Sequence, residues 1–322
     1  MSGPAAAILG LPGPVLEGTD RAFLRAADPW GVILFARNVR DPAQLARLTA
    51  DIRDTLGRDA PVLVDQEGGR VARLRGPHWT EWPSPATAAA GPATEEAIHL
   101  RHRLIAAELA AVGIDVNCAP CADLAGPATH PFLADRCYGT TVQQVVRNAR
   151  AAADGLLTGG VLPVLKHLPG HGRATADSHF ALPVVAAPLA DLDASDLAPF
   201  AALADLPIAM TAHVVYAAVD DRPATCAPPL IALIRDRIGF RGLLVTDDLG
   251  MQALSGTAAQ RTAQAIAAGC DIALHGNGDA ATLRTVADAA GPLTAAAQAR
   301  SDAALARRRL PDPHDARALA SC

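Results

Sequence analysis

Short runs of β-branched and aliphatic residues recur along the chain, each followed by a longer amphipathic stretch rich in Ala and Arg. The runs are Ala6–Leu9, Val32–Phe35, Val62–Val64, Ile114–Asn117, Leu162–Leu165, Ile208–Thr211, Leu243–Thr246 and Asp271–Leu274. The stretches between them carry helical periodicity, as in Pro42–Ile52 and in Met251–Ala268, which Gly269 stops. Strand and helix patterns in alternation imply βαβ units and a parallel sheet. Eight such units in a chain of 322 residues predict an α/β fold, a (β/α)8 barrel of the TIM type. An open doubly wound sheet is the competing architecture, but no Gly-x-Gly-x-x-Gly turn follows the first run. No linker or composition break divides the chain. Residues 1–310 are therefore expected to form one barrel domain, with 311–322 as a loose C-terminal tail.

A barrel of this kind places its chemistry at the C-terminal ends of its strands. The residues there are Asp65, Asp123, Lys166 with His167, His213, Asp247 with Asp248, and then His275 and Asn277. One such ionisable group would suit a helix cap or a structural ion pair. Their recurrence around the rim points to a site.

Composition narrows what the site can take. Lys plus Arg number 28 against 33 Asp plus Glu, a net charge of −5, and aromatic residues make up 3%. This leaves neither the basic excess nor the stacking surface that nucleic acids require, and no basic patch for an anionic membrane. No apolar run is long enough to span a bilayer. The N-terminus lacks a basic region followed by an unbroken apolar core, so the expected location is the cytoplasm. Six cysteines are too sparse for a disulfide scaffold. Cys118-Ala-Pro-Cys121 has the spacing of a redox motif, but it follows an apolar run and reads as a strand end rather than a helix N-terminus. Within the basic count, Lys166 is the only lysine in the chain. A compact ammonium is not interchangeable with a guanidinium, and this one directly precedes His167.

The densest chemistry lies between Lys166 and His179, where three of the ten histidines fall within fourteen residues. Pro169 and Gly170 prevent a continuous helix through His167 and His171, so the pair lacks the one-face geometry of a helical zinc motif. Asp177, two residues before His179, can accept a ring N–H, fix the tautomer and raise the basicity of the other nitrogen. Asp247 ends the seventh run, and Asp248 suits the cap of a helix starting near Gly250. Asp65 precedes Gly68-Gly69, a pair that permits a sharp turn and lets the carboxylate face a cavity, with Arg70 or Arg73 as ion-pair partners. With no phosphate loop, these groups favour a neutral, hydroxyl-rich substrate. Glycoside hydrolysis needs a carboxylate near the anomeric carbon and a proton donor near the leaving oxygen. Asp247 and an Asp177-backed His179 would supply them. A Schiff-base lyase using Lys166 and a non-catalytic sugar-binding barrel are the alternatives.

Three segments, Gly31–Asn38, Val64–Val71 and Asp247–Met251, together with the His-rich run, resemble the single-domain bacterial β-N-acetylglucosaminidases of glycoside hydrolase family 3. The His-rich run matches the pattern Lys-His-(Phe/Ile/Leu)-Pro-Gly-His-Gly, four variable residues, Asp-(Ser/Thr)-His at every fixed position. Where the family usually has Gly-Glu-Arg-Ser, this chain has Ala134-Asp135-Arg136-Cys137. The resemblance implies a retaining double displacement without metal or other cofactor. Asp247 would be the nucleophile, and His179, oriented by Asp177 on a mobile loop, the general acid/base. Asp65, Arg73, Arg136, Lys166 and His167 would bind a non-reducing GlcNAc. The implied substrate is a GlcNAc-containing muropeptide, GlcNAc linked β-1,4 to 1,6-anhydro-N-acetylmuramic acid, in cytoplasmic cell-wall recycling. The chain is taken to act as a monomer.

Overall fold

A computed structural model describes residues 3–90, 95–178 and 180–308. The strands, in chain order, are β1 (Ala5–Gly10), β2 (Pro29–Leu34), β3 (Val62–Val64), β4 (Val116–Asn117), β5 (Leu162–Leu168), β6 (Val184–Val185), β7 (Ile208–Thr211), β8 (Val215–Tyr216), β9 (Leu243–Asp248) and β10 (Ile272–His275). Eight of them close a parallel barrel in the order β1-β2-β3-β4-β5-β7-β9-β10, with β10 returning to β1. All eight runs of the sequence are barrel strands. The remaining two, β6 and β8, form a small parallel pair after the His-rich segment.

Local signals set the outer layer. The helix Pro42–Leu56 starts where the Asp41 carboxylate accepts the Gln44 N–H at 2.8 Å, has Pro at its first turn, and stops at Gly57. Its buried stripe of Leu45, Leu48 and Ile52 packs on Val32, Leu34, Val62 and Val64, the outward side chains of β2 and β3. The predicted helix Met251–Ala268 is shorter than expected. It begins at Ala258, after a capping box between Thr257 and Gln260, and residues 251–255 form turns at the barrel mouth instead.

The inward faces of the strands decide where function can sit. Ile33, Leu63, Val116, Leu162, Val164, Ile208, Met210, Leu243, Val245, Ile272 and Leu274 fill the barrel interior as one cluster. Side chains alternate along a strand, so the next inward position beyond Leu63 is Asp65, beyond Val164 is Lys166, and beyond Val245 is Asp247. Beyond Ile33 it is Phe35. The apolar core thus changes to charge within one residue step at the top of the barrel. Among the described residues, no helix is long and apolar enough to cross a membrane.

Candidate active site

A cavity of about 430 Å³ opens at this end, within the size range of small-molecule sites. Asp65, Arg73, Arg136, Lys166, His167 and Asp247 all line it. Lys166 and His167 lie inside β5 rather than after it, and Asp247 and Asp248 inside β9. The β5–β7 register shifts between Lys166 and Leu168, and both Lys166 and its neighbour His167 reach the cavity.

The floor is a charge lattice. Lys166 Nζ lies 3.0 Å from Asp65 Oδ1 and 2.7 Å from Glu67 Oε1. Arg73 donates to Asp65 Oδ2 at 3.0 Å, while Arg70 pairs with Asp135. Arg136 grips Glu67 with Nε and Nη2, at 3.0 Å to Oε2 and 2.8 Å to Oε1. Burial opposes charge on Asp65, but Lys166 and Arg73 outweigh it and hold the carboxyl well below the usual carboxylate range. Burial is likewise overcome at Lys166, where Asp65 and Glu67 raise the ammonium above its ordinary value. A Schiff base needs a free amine, so this environment argues against Lys166 as a nucleophile. Glu67, which the sequence reading overlooked, is fully buried between two cations. It lies at the second inward step beyond Leu63, so strand alternation through Asp65 was the signal that could have found it. The turn that carries it uses Gly68 and Gly69 at φ +102° and +59°, where a Cβ on Gly68 would also meet Pro83 O at 2.3 Å.

A second chain of hydrogen bonds sets the imidazoles. Asp123 Oδ2 accepts from His167 Nδ1 at 2.7 Å, and Asp123 Oδ1 accepts the His171 backbone N–H at 2.6 Å. Arg136 Nη2 lies 3.3 Å from His167 Nε2. The guanidinium can only donate, so His167 carries its proton on Nδ1. The segment after β5 is tied down at several points. His171 Nε2 meets Ser178 Oγ at 3.1 Å, Arg173 donates to Asp196 at 2.6 Å, and Tyr216 O–H donates to Gly170 O. Gly172 is required there, because a Cβ would sit 1.9 Å from Leu124 O. Asp177 is described, and its carbonyl accepts the N–H groups of Phe180 and Ala181. His179 and the tail 311–322 lie outside the described residues.

At β9 the two aspartates differ. Burial raises the Asp247 pKa, yet His167, His213 and Lys166 outweigh it, and the carboxyl stays below its ordinary value. Asp247 Oδ1 accepts the Asp248 N–H at 2.8 Å. Asp248 does not cap a helix. Its Oδ1 accepts from Gly250 N at 2.8 Å and Gly276 N at 3.2 Å, bracing the turn at the rim, and burial raises its pKa. His213 sits beneath, with Nε2 3.0 Å from Asp248 O and Nδ1 2.8 Å from Thr225 Oγ1.

Among the described residues, Cys121, Asp123 and His167 are the one group whose potential ligand atoms lie within 4.8 Å of one another. These atoms already satisfy each other, since Cys121 donates to Asp123 Oδ2 at 3.2 Å beside the His167 bond. Burial pushes the Cys121 thiol up, which favours the protonated form over a thiolate ligand.

The buried imidazoles give a prediction for stability. Burial lowers His171 to about 4 and His102 to about 3 from 6.5. In the unfolded chain both bind a proton as the pH falls through 6.5, while the folded protein resists until these lower values. Stability present above pH 6.5 should therefore decline steadily as the pH falls from 6.5 to 4. Urea midpoints at pH 7 and pH 5 check this: the midpoint should drop at pH 5, and His171→Asn should flatten the dependence.

Fold and cavity together define a barrel whose mouth presents fixed charges and an ionised carboxylate to a small-molecule-sized cavity. The comparisons with known proteins agree. Residues 18–308 match the glycosyl hydrolase family 3 N-terminal domain. The chain is 40% identical over 281 residues to the β-hexosaminidase of Methylococcus capsulatus, covering 84% of this chain and 83% of that protein. It is 39% identical over 271 residues to the β-hexosaminidase of Pseudomonas aeruginosa, covering 83% and 81%. NagZ from Neisseria gonorrhoeae, solved in complex with N-trifluoroacetyl-D-glucosamine, superposes with a TM-score of 0.88 at 29% identity, over all of this chain and 95% of that one. The chain belongs to glycosyl hydrolase family 3 and is a glycoside hydrolase.

Proposed function

We propose that this enzyme is a retaining exo-β-N-acetylglucosaminidase, with residues 1–310 as its catalytic domain. The observation that carries the reading is the inward register of β3, β5 and β9. It sets Asp65, Lys166 and Asp247 around one cavity, with Asp247 kept ionised by its imidazole and ammonium neighbours. A carboxylate that is anionic at neutral pH can attack an anomeric carbon. In the first step His179, oriented by Asp177, gives its proton to the glycosidic oxygen while Asp247 forms the glycosyl-enzyme. In the second, His179 takes a proton from water, which displaces Asp247 and restores the β-configuration. Asp65, Arg73, Arg136, Lys166 and His167 hold the sugar hydroxyls and acetamido group, and Asp123 fixes the His167 ring for that task. The substrate we assign is a muropeptide carrying GlcNAc linked to 1,6-anhydro-N-acetylmuramic acid, met in the cytoplasm during cell-wall recycling. The likeness to curated β-hexosaminidases supports the hexosamine part of this reading.

An aryl β-GlcNAc and the matching aryl β-glucoside, compared in one assay, test it. The GlcNAc substrate should be hydrolysed with much the higher kcat/KM, and equal rates would overturn the assignment. The role of His179 has its own signature. His179→Ala should cost about 10²–10⁴-fold on substrates with poor leaving groups and far less on activated aryl glycosides. An equal loss on both would make His179 a binding residue.

A further inference from the structure

The Cys-x-x-Cys spacing of Cys118 and Cys121 does not make them partners. Cys118 turns into the barrel interior beside Leu63 and Val116. Cys121 packs instead against Cys137 and Leu133 in a separate small cluster. Cys121 and Cys137 share this buried cluster, each with its S–H turned to an oxygen, Cys121 to Asp123 Oδ2 at 3.2 Å and Cys137 to Leu133 O at 3.4 Å, and both are reduced in this structure. Ala125 and the half-buried Phe132 pack against the cluster. The adjoining loop Gly126–Ala128 is exposed.

Each cysteine touches the sugar-binding apparatus through one covalent or hydrogen-bonded step. Cys137 follows Arg136, whose guanidinium grips Glu67. Cys121 donates its S–H to Asp123 Oδ2, the oxygen that also holds His167 Nδ1. We propose that Cys121 and Cys137 are an oxidation site, a thiol pair that closes to a disulfide and thereby loosens the hold of Arg136 and His167 on the sugar. The claim about the sugar rests on the function proposed above; the claim about the disulfide does not.

The oxidant is a small-molecule disulfide such as oxidised glutathione. The thiolate of one cysteine attacks it and expels one thiol. The second cysteine then attacks the mixed disulfide and expels the other. Two S–H bonds and one S–S bond are exchanged for a protein S–S bond and two small thiols. Burial pushes the Cys121 thiol up and both sulfurs are shielded from solvent, so the reaction waits on local opening and is slow. Once formed, the disulfide removes the S–H donor from Asp123 and draws the backbone at Cys137 towards Cys121. A displacement of the adjoining arginine by about 1 Å is enough to cost on the order of 10²-fold in a positioned site.

The full chain is incubated with oxidised glutathione, denatured, alkylated and digested with trypsin. Cleavage after Arg136 places Cys121 and Cys137 on different peptides, Leu104–Arg136 and Cys137–Arg147. The expected result is a disulfide-linked pair of these peptides, with fragmentation assigning Cys121 rather than Cys118. In parallel, kcat/KM on an aryl β-GlcNAc should fall at least ~10-fold, chiefly through KM, and return with dithiothreitol. In Cys137→Ser the oxidant should have no effect, whatever the variant's own starting rate. The proposal is overturned if Cys121 and Cys137 both remain alkylatable, if the link joins another pair, or if the linked protein keeps its KM. Failure of the reduced enzyme to hydrolyse the GlcNAc substrate would instead count against the proposed function, and the peptide map would still decide the disulfide.

Discussion

Asp247→Ala should lower kcat on an aryl β-GlcNAc by on the order of 10⁴-fold or more, with the protein still folded. The carboxylate lies at the mouth, beyond the last packed inward residue of β9, so its removal leaves the barrel interior intact. The alanine also opens space on the face of the sugar from which Asp247 would attack. Sodium azide should then restore turnover of substrates with good leaving groups and give the α-glycosyl azide. Asp248→Ala has no such signature. That side chain braces Gly250 and Gly276, so its loss should disturb the rim and show no rescue by azide.

Glu67→Gln is expected to damage both stability and binding, for a different reason. The carboxylate is fully buried and neutralises Lys166 and Arg136, both of them buried cations. Ion pairs of this kind are poor evidence of net stability, but removing one partner strands the other charges out of water, at a cost of about 3–5 kcal/mol. The stranded cations would also be free to shift onto Asp65, distorting the sugar floor, with a loss in kcat/KM on the order of 10²-fold. The loss should fall mainly on KM, because Glu67 positions binding groups and does not reach the reacting bond. Glu67→Asp, which keeps the charge, should recover most of the stability and part of the KM. Urea denaturation alongside steady-state kinetics for the two variants checks both halves. A Gln variant of unchanged stability and KM would contradict the role given to Glu67.

Much of this architecture was legible before any coordinate. Eight apolar runs, six of them followed by ionisable residues, are the sequence form of a barrel whose inward face changes from core to cavity in a single step. That is why Asp65, Lys166 and Asp247 could be named from their position after Val64, Leu165 and Thr246. The errors fall where tertiary contacts override local pattern. Met251–Ala268 has helical periodicity throughout, but its first turns are held at the rim instead, with Arg261 donating to the carbonyls of Leu249 and Met251. Asp248 has the position of a helix cap and serves a turn, because the backbone N–H groups of Gly250 and Gly276 converge on it. Glu67 and Asp123 act through groups supplied from distant parts of the chain, the Arg136 and Lys166 side chains for the first, the His167 ring and the His171 backbone N–H for the second. Local spacing carries no record of such partners. Cys121 was visible as half of a short motif, but it packs in one buried cluster with Cys137, sixteen positions away.

The central claim is that a carboxylate of this chain, Asp247, bonds covalently to the sugar during turnover. A 5-fluoro derivative of GlcNAc carrying a fluoride leaving group slows both steps and lets the glycosyl-enzyme accumulate. Peptide mass spectrometry of the trapped protein should find one added sugar, on the tryptic peptide containing Asp247 and fragmenting to that residue. A sugar on any other carboxylate, or turnover of the probe by a protein that never carries the added mass, would contradict the account.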